Sequence, residues 1–282
     1  MEEIKTDTGI QPQNCGWATW SLVLGIAGLV LCVLVIPSIL AVIFGIIALV
    51  KIDASKGLLV GKGKAIAGIV LGGLWFVMIP FIAIVAAIAI PNLLSGRISA
   101  NEASAATSLR LMTNAEAVWR QQDADGNGVM DYWTYDVSCL YRMFRADGLT
   151  KCAFISIDMA NADAAPADDN TFGSNRLSQR IGATAQPKSG YLFQVMELDQ
   201  NGEPYKQEMV NGVPATNQTK FAFVAYPDMY GTSGINTYII NQEGTVYAND
   251  CGSDAQKIIL QWPGNNPSAI TGPGGRQWRY VD

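Results

Sequence analysis

The chain has 282 residues, more than one minimal domain needs, and 49% of them are hydrophobic while only 15% are charged. It contains no histidine, which removes the usual general base, the commonest metal ligand, and the Ser-His and Cys-His nucleophile pairs. Residues 97–282 carry fourteen Lys and Arg against twenty Asp and Glu, a net charge of −6. Because a surface of this sign repels phosphate backbones, we expect no nucleic-acid partner.

The N-terminal region predicts a short tail and a membrane hairpin. Residues 1–16 are polar and lack a basic segment before an apolar core, so they are predicted to be a cytoplasmic tail and not a signal peptide. An uncharged stretch of 34 residues then runs from Trp17 to Val50, with Pro37 near its middle. One span of that length would overfill a bilayer, so we predict two short spans, about 17–36 and 38–50. The alternative is one tilted helix kinked at Pro37.

A short basic loop completes this region, which extends over residues 17–64. The loop carries four lysines against one acid, Asp53. Short Lys-rich loops remain in the cytoplasm, so we expect a third span to carry residues 97–282 out of the cytoplasm across the bacterial inner membrane. The lysines are Lys51, Lys56, Lys62 and Lys64.

Glycines recur through the apolar segments and predict close helix approach in lipid. The segments Ser21 to Gly25, Ala41 to Ala48 and Gly61 to Gly72 resemble, over residues 17–78, a small bacterial multi-span membrane domain of unknown function. This resemblance implies an architecture and no activity.

Residues 65–122 predict one long helix with two environments. Ala65 to Ile90 is apolar and no charge occurs between Lys64 and Arg97, which exceeds the roughly 20 residues that a membrane span needs. Apolar residues then recur at spacings of three, four and seven up to Trp119. We therefore predict a helix that leaves the membrane and becomes the spine of a soluble domain.

The junction of the two halves carries a specific pattern. Ala-Ile-Ala-Ile-Pro-Asn-Leu-Leu-Ser at 87–95 and Asn-Glu-Ala-Ser-Ala at 101–105 resemble the N-terminal helix of type IV pilins and type II secretion pseudopilins, over residues 82–119. The resemblance implies an α+β fold for the soluble part, with the long helix packed on an antiparallel sheet within an extracytoplasmic domain at 123–282. The alternative is an ordinary single-span anchor with a proline at the membrane interface.

One part of the family pattern is missing. Pilins have a Gly-Phe-Thr-Leu-Ile-Glu segment before this run, and the peptidase cuts after its glycine. Those positions fall on Ile69 to Leu74, where neither a cleavage signal nor a carboxylate is present. We therefore expect no processing by a prepilin peptidase, and a chain that stays tethered.

A candidate calcium loop follows the helix. Its Asp-x-Asp-x-Asn-Gly pattern matches the first positions of a calcium loop, with Gly128 for the sharp turn, and resembles loops of dockerin and thrombospondin type. The closing Glu is absent because Thr134 stands there, and Asp136 is a candidate substitute. The alternative is a turn that needs no ion. The predicted Ca²⁺ ligands are the side chains of Asp123, Asp125, Asn127 and Asp131 and the carbonyl of Val129.

Three cysteines lie in the soluble part. Cys139 and Cys152 are thirteen residues apart, and in an oxidising compartment we predict a disulfide between them, worth about 3 kcal/mol by loop closure. The pairing of Cys251 is left open. Cys15 and Cys32 belong to the membrane region, and no Cys-x-x-Cys pair suggests zinc.

The remainder of the chain predicts a sheet. Residues 160–189 are typical of a long surface loop with one short helix. Residues 190–198 are expected to pair with 220–226, and 237–240 with 245–248 as a hairpin. The block 190–250 resembles a family of uncharacterised bacterial secreted proteins through Tyr-Pro-x-x-Tyr-Gly at 226–231. We expect the aromatic residues of the tail to pack on the sheet: Trp262, Trp278 and Tyr280.

Two functions fit these observations. Candidate serines lack a histidine partner, so we do not expect an enzyme. We favour a membrane-anchored, non-enzymatic pilin-like protein that is a structural or assembly component of the cell envelope or a surface filament. Its partners would be the lipid bilayer and further copies or other pilin-like envelope proteins. The alternative is a tethered extracytoplasmic module that binds a protein or polysaccharide.

Overall fold

The structure is a computed structural model that describes residues 13–30, 35–56, 58–180, 182, 184–255 and 260–281. The chain divides into two compact units, residues 1–92 and 93–282, and one long helix has residues in both. Helices and antiparallel strands are both present, which confirms the α+β part of the predicted fold class.

The first unit contains α1 (Gly16–Val30), α2 (Val35–Ala54) and the beginning of α3 (Lys62–Gln122). Residues 31–34, between α1 and α2, lie outside the described residues. The predicted break at Pro37 is wrong, since Pro37 lies in the first turn of α2. Proline is tolerated there because the first N–H groups of a helix have no intrahelical acceptor.

Small residues allow the helices of the first unit to approach closely. The Ser21 hydroxyl donates to the Ala41 carbonyl (2.8 Å). A Cβ on Gly72 would lie only 2.8 Å from the Ser38 carbonyl oxygen, so a larger residue would force the helices apart. Within the described residues two helices are long and apolar enough to cross a membrane, α2 from Ile36 onward and α3, which indicates membrane association. A two-residue parallel pair also lies here, β1 (Gln13–Asn14) with β2 (Leu59–Val60).

Helix α3 changes character along its 61 residues. Large apolar side chains of its first half are uncovered, including Phe81 (59% exposed), Val85 (64%) and Ile88 (59%). In its second half Leu109, Met112 and Trp119 are fully buried. The apolar residues that recur every three or four positions in the second half of α3 therefore form a packed face, as predicted.

The second unit is built on a five-stranded antiparallel sheet of order β10-β9-β8-β7-β4. The predicted pairings are confirmed, because Phe193 lies opposite Ala225 and Ile239 opposite Tyr247. A three-stranded sheet of order β3-β6-β5 is also present. The strands are β3 (Tyr132–Trp133), β4 (Tyr191–Val195), β5 (Glu208–Val210), β6 (Val213–Asn217), β7 (Ala222–Pro227), β8 (Thr237–Asn241), β9 (Val246–Asn249) and β10 (Arg279–Val281).

Both faces of the larger sheet are covered. Alternate residues such as Phe193, Phe223 and Ile240 pack in one cluster with the buried face of α3, while Val224 and Ile239 pack in a second cluster. The second cluster contains Trp262 and Trp278, as expected for the tail. Tyr280 differs from the expectation, since it is 59% exposed.

Short helices and a long segment join these sheets. They are α4 (Cys139–Arg142), α5 (Ile157–Asn161) and a 3₁₀ turn at Pro267–Ala269. The predicted surface loop at 160–189 is only partly superficial, because Ala167, Phe172 and Leu177 are buried. Isolated apolar residues in a polar segment gave no periodicity by which to predict this burial.

Candidate functional site

The loop after α3 is the first candidate site. The helix ends at Gln122, and Asp123 adopts a left-handed backbone with φ of 44°. Its carboxylate accepts hydrogen bonds from the backbone N–H groups of Asn127 (3.1 Å) and Gly128 (3.0 Å), and Gly128 has φ of 81°. The sequence therefore produces the predicted tight turn, with the carboxylate of Asp123 folded over it.

Three of the predicted ligands converge inside this loop. The amide nitrogen of Asn127 donates to Asp125 Oδ2 (2.9 Å) and to Asp131 Oδ2 (3.1 Å). Asp131 also accepts from the Thr216 hydroxyl on β6 (2.7 Å). The N–H of Val129 donates to Asn127 Oδ1 (2.6 Å), which fixes the position of Val129 in the loop. One amide group thus bridges two carboxylates that the chain brings together.

The surroundings in the loop disfavour the ionised forms of Asp125 and Asp131. Burial, followed by the negative charge of Asp131, raises the pKa of Asp125 to about 7. Burial also raises the pKa of Asp131, against the hydrogen bonds from Thr216 and Asn127. A positive charge among these oxygens would lower both pKa values, because opposite charges favour the ionised form.

As the side chains stand, no group of three or more His, Cys, Asp or Glu residues among the described positions has the arrangement that holds a metal ion. Asn127 presents its amide nitrogen to Asp125 and Asp131, so its oxygen does not face them. The suggested substitute ligand, Asp136, is engaged elsewhere. Its oxygens accept from Ser138 Oγ, Trp133 Nε1 and two backbone N–H groups.

Sequence reasoning missed Glu116, an acid on the packed face of α3. It is fully buried, and its Oε2 accepts from the Trp133 N–H (2.8 Å). Its Oε1 has no hydrogen-bond partner among the described residues. Burial raises the pKa of Glu116 well above its usual value, and the charge of Asp131 adds to the effect. The sequence signal that could have identified Glu116 is that it is an acidic residue within the apolar stripe of the helix.

A second group of polar residues joins α4 to the long segment and was also missed. Arg142 is only 4% exposed, donates to the Ala167 carbonyl (2.8 Å) and the Ser178 carbonyl (3.0 Å), and forms an ion pair with Asp169. Asp163 is buried and accepts from the Ser138 N–H (2.7 Å). Burial and the neighbouring Asp136 raise the pKa of Asp163 to about 8.

A polar cavity of about 190 Å³ lies beside this network, lined by Asp136, Asp163 and the cation of Lys206 among others. A carboxyl group with a raised pKa beside a cavity is a feature of some binding sites. Here both oxygens of Asp163 accept backbone N–H groups, from Ser138 and Ala165. The network therefore fixes the path of the chain around α4.

The structure does not have the predicted Cys139–Cys152 disulfide, because both residues are buried free thiols. The Cys152 N–H donates to the Met143 carbonyl (2.8 Å), which packs this segment beside α4. Burial raises the pKa of Cys152 to about 12, which suppresses the thiolate needed for exchange. Cys251 is a buried free thiol as well, and Cys32 lies outside the described residues.

Comparisons with known proteins locate two families in the chain. The family described as "Protein of unknown function (DUF2950)" matches residues 85–270. The one described as "Domain of unknown function (DUF4190)" matches residues 17–89. No curated protein and no solved structure matches the chain.

Proposed function

Because the chain belongs to the DUF2950 family, whose function is unknown, we propose a role from its own architecture: a membrane-anchored, non-enzymatic pilin-like protein that is a structural or assembly component of the cell envelope. In this proposal α3 anchors the chain in the bacterial inner membrane, and residues 97–282 lie outside the cytoplasm. The function is to present the second unit at the membrane and to associate through α3 with further copies or related envelope proteins.

The observation that carries this proposal is the contrast between the two halves of α3. Phe81, Val85 and Ile88 are each more than half exposed, an arrangement whose apolar surface is costly in water and favourable in lipid or against another apolar helix. The second half packs on an antiparallel sheet through Leu109 and Trp119. The first half of α3 is thus apolar and exposed, and its second half is packed against a sheet. This combination fits a subunit that is anchored in a membrane and takes part in an assembly.

We further propose that the loop after α3 binds Ca²⁺ through the side chains of Asp123, Asp125, Asn127 and Asp131 and the carbonyl of Val129. The convergence of Asp125 and Asp131 on one amide group supports it. Rotation of the Asn127 amide would exchange its donor for an acceptor toward that centre. The ion would fix the exit of α3 into the strands, with an affinity of about 10⁻⁴ to 10⁻³ M, as in extracellular sites.

Cysteine cross-linking tests the proposed assembly. Single cysteines are placed at positions 82 to 90 of the full-length protein, and oxidised in isolated membranes. If α3 associates with other copies, cross-linked species should recur every three to four positions, because one face of a helix has that spacing. The unsubstituted protein is the matched control for its native thiols, four of which are buried.

Electron microscopy of the purified full-length protein completes the test. Filaments or regular clusters together with periodic cross-links support a structural role. If every cysteine variant remains monomeric after oxidation and microscopy shows no assemblies, the proposed structural role is contradicted. In that case a ligand screen on the full-length protein addresses the alternative, a tethered module for a protein or polysaccharide.

A further inference from the structure

The loop between β7 and β8, residues 229–235, is fastened to α3. Glu102 Oε1 accepts from the N–H groups of Ile235 and Asn236 and from the Asn236 side chain, each at 3.0 Å. The Asn101 amide donates to the Ser233 carbonyl (2.8 Å). Within the loop the Ser233 N–H donates to the Met229 carbonyl (2.9 Å). The loop therefore has a defined position on the helix.

That position is close along α3 to two exposed leucines of the second unit. Leu93 and Leu94 are 77% and 40% exposed, and the side chains from residue 95 to residue 100 are exposed except the half-buried Ile98. Among the described residues, Asn101 is the first after Leu94 with a side-chain hydrogen bond to the sheet region. Seven residues separate it from Leu94, about 10 Å along a helix. The loop thus meets α3 at the level expected of lipid headgroups if the apolar half is embedded.

The loop exposes apolar side chains at that level. Met229 is 55% exposed, Tyr230 42% and Ile235 38%. They are three of the nine large hydrophobic residues exposed among the described positions of 97–281, within only seven consecutive residues. Isolated exposed apolar residues are ordinary, but a cluster of them marks an interaction surface.

Positive charge accompanies this cluster. A cleft of about 430 Å³ is lined by Ile235 together with Arg276, Arg279 and one acid, Asp250, which accepts from the Tyr230 hydroxyl. Arg276 pairs with Asp250 (3.3 Å) but its side chain is still 74% exposed, and Arg279 is exposed. Exposed apolar and aromatic residues beside arginines suit the interface of a membrane with anionic lipids.

We propose that residues 229–235 dock on the phospholipid headgroup layer, with Met229, Tyr230 and Ile235 entering the interface and Arg276 and Arg279 facing lipid phosphates. The inference rests on the proposed anchoring of α3 in the bilayer. The docked loop would restrain the second unit, because Glu102 links the loop to the helix that enters the membrane.

Spin labels on the full-length protein test the docking. Labels are attached to Met229→Cys, to Leu149→Cys, whose native side chain is 85% exposed, and to Val85→Cys in the apolar half of α3. The protein is reconstituted in vesicles of phosphatidylcholine and phosphatidylglycerol, and collisions with oxygen and with a water-soluble nickel complex are measured. The labelled unsubstituted protein corrects for native cysteines.

The expected result is an oxygen-to-nickel ratio at position 229 several-fold above that at position 149, and the highest ratio at position 85. If the oxygen-to-nickel ratio at position 229 equals that at position 149 while the ratio at position 85 is high, the docking is wrong and the proposed anchoring of α3 stands. If position 85 is also in water, both fail. Exclusion of both oxygen and nickel from position 229 would mean a protein partner covers the loop and would overturn lipid docking.

A charge variant gives a second test. Arg276→Gln with Arg279→Gln should lower the ratio at position 229 in vesicles that contain phosphatidylglycerol, and change it little in pure phosphatidylcholine. An equal effect in the two lipids would contradict a contact with anionic headgroups. Arg180→Gln, a change in the long segment outside the cleft, is the matched control and should leave both ratios unchanged.

Discussion

Asp125 allows the calcium proposal to be tested by pH. Its pKa is raised to about 7, so the carboxyl is largely protonated at pH 6 and largely ionised at pH 8. Because Ca²⁺ needs ionised oxygens, its affinity should rise by about tenfold over that interval. Titration calorimetry of the full-length protein in detergent micelles measures this.

Two variants control that titration. Asp125→Asn should weaken binding and reduce the pH dependence, part of which remains because burial also raises the pKa of Asp131. Asp147→Asn should change neither, since Asp147 lies outside the loop and hydrogen bonds from Thr150 and Leu149 lower its pKa to about 2. Absence of any heat with millimolar Ca²⁺ at pH 8 would mean that the loop is only a turn.

Asp163 predicts how stability depends on pH. Its folded-state pKa of about 8 lies above the ordinary value of 3.8 because of burial and Asp136. The folded state therefore binds the proton more tightly, and the stabilisation is complete below about pH 4 and is lost as pH rises through 8. Denaturant unfolding followed by tryptophan fluorescence should give a lower midpoint at pH 8 than at pH 5. The raised pKa values of Glu116, Asp125 and Asp131 act in the same direction.

A substitution separates Asp163 from those other acids. Asp163→Asn should flatten the pH dependence, and it should lower stability at pH 5, because Asn has only one acceptor oxygen for the N–H groups of Ser138 and Ala165. Asp158→Asn, at an exposed position, should keep the slope of the unsubstituted protein. An unchanged slope in Asp163→Asn would assign the pH dependence to the other acids.

At the scale of elements, the second half of α3 supports the sheet through one face only. Leu109 is fully buried and Leu111, two residues later, is 51% exposed. Leu109→Ala should therefore lower the free energy of unfolding by about 3 kcal/mol, because it removes buried methyl groups and leaves a cavity. Leu111→Ala should change it by less than about 0.5 kcal/mol. Equal effects of the two substitutions in denaturant unfolding would mean that another face of α3 is packed.

The elements also differ in how well the sequence predicted them. The pairings of β4 with β7 and of β8 with β9 followed from runs of β-branched and aromatic residues and the turn between Asn241 and Gly244. The predicted break at Pro37 was wrong because a proline that interrupts a helix and a proline in the first turn of a helix have the same sequence signal. Burial in the segment 160–189 depends on contacts with distant elements, which local composition does not contain.

At the scale of the molecule, the membrane orientation is a prediction. Four lysines against one acid in the loop before α3 place that loop in the cytoplasm, and the second unit then lies outside. Reporter fusions after Ser55 and after Met130 should give opposite readouts. Equal readouts would contradict the proposed orientation.

The length of the mature chain is a further prediction about the whole protein. Ile69 stands at the position of the glycine of a pilin processing segment and Leu74 at that of its glutamate, so mass spectrometry should show no cleavage there. A mature N-terminus near Val70 would contradict this.

The sequence by itself determined the features that depend on neighbours along the chain: the apolar stretches, the period of α3, the strand pairs joined by short turns, and the tight turn at Gly128. Only the tertiary structure decided which polar groups meet. It buried Glu116 under β3, placed Asp136 and Arg142 in one network, left Cys139 and Cys152 as free thiols, and fastened the 229–235 loop to Glu102. The physical reason is that burial and charge proximity depend on the packing of segments far apart in sequence, and local patterns do not encode those distances.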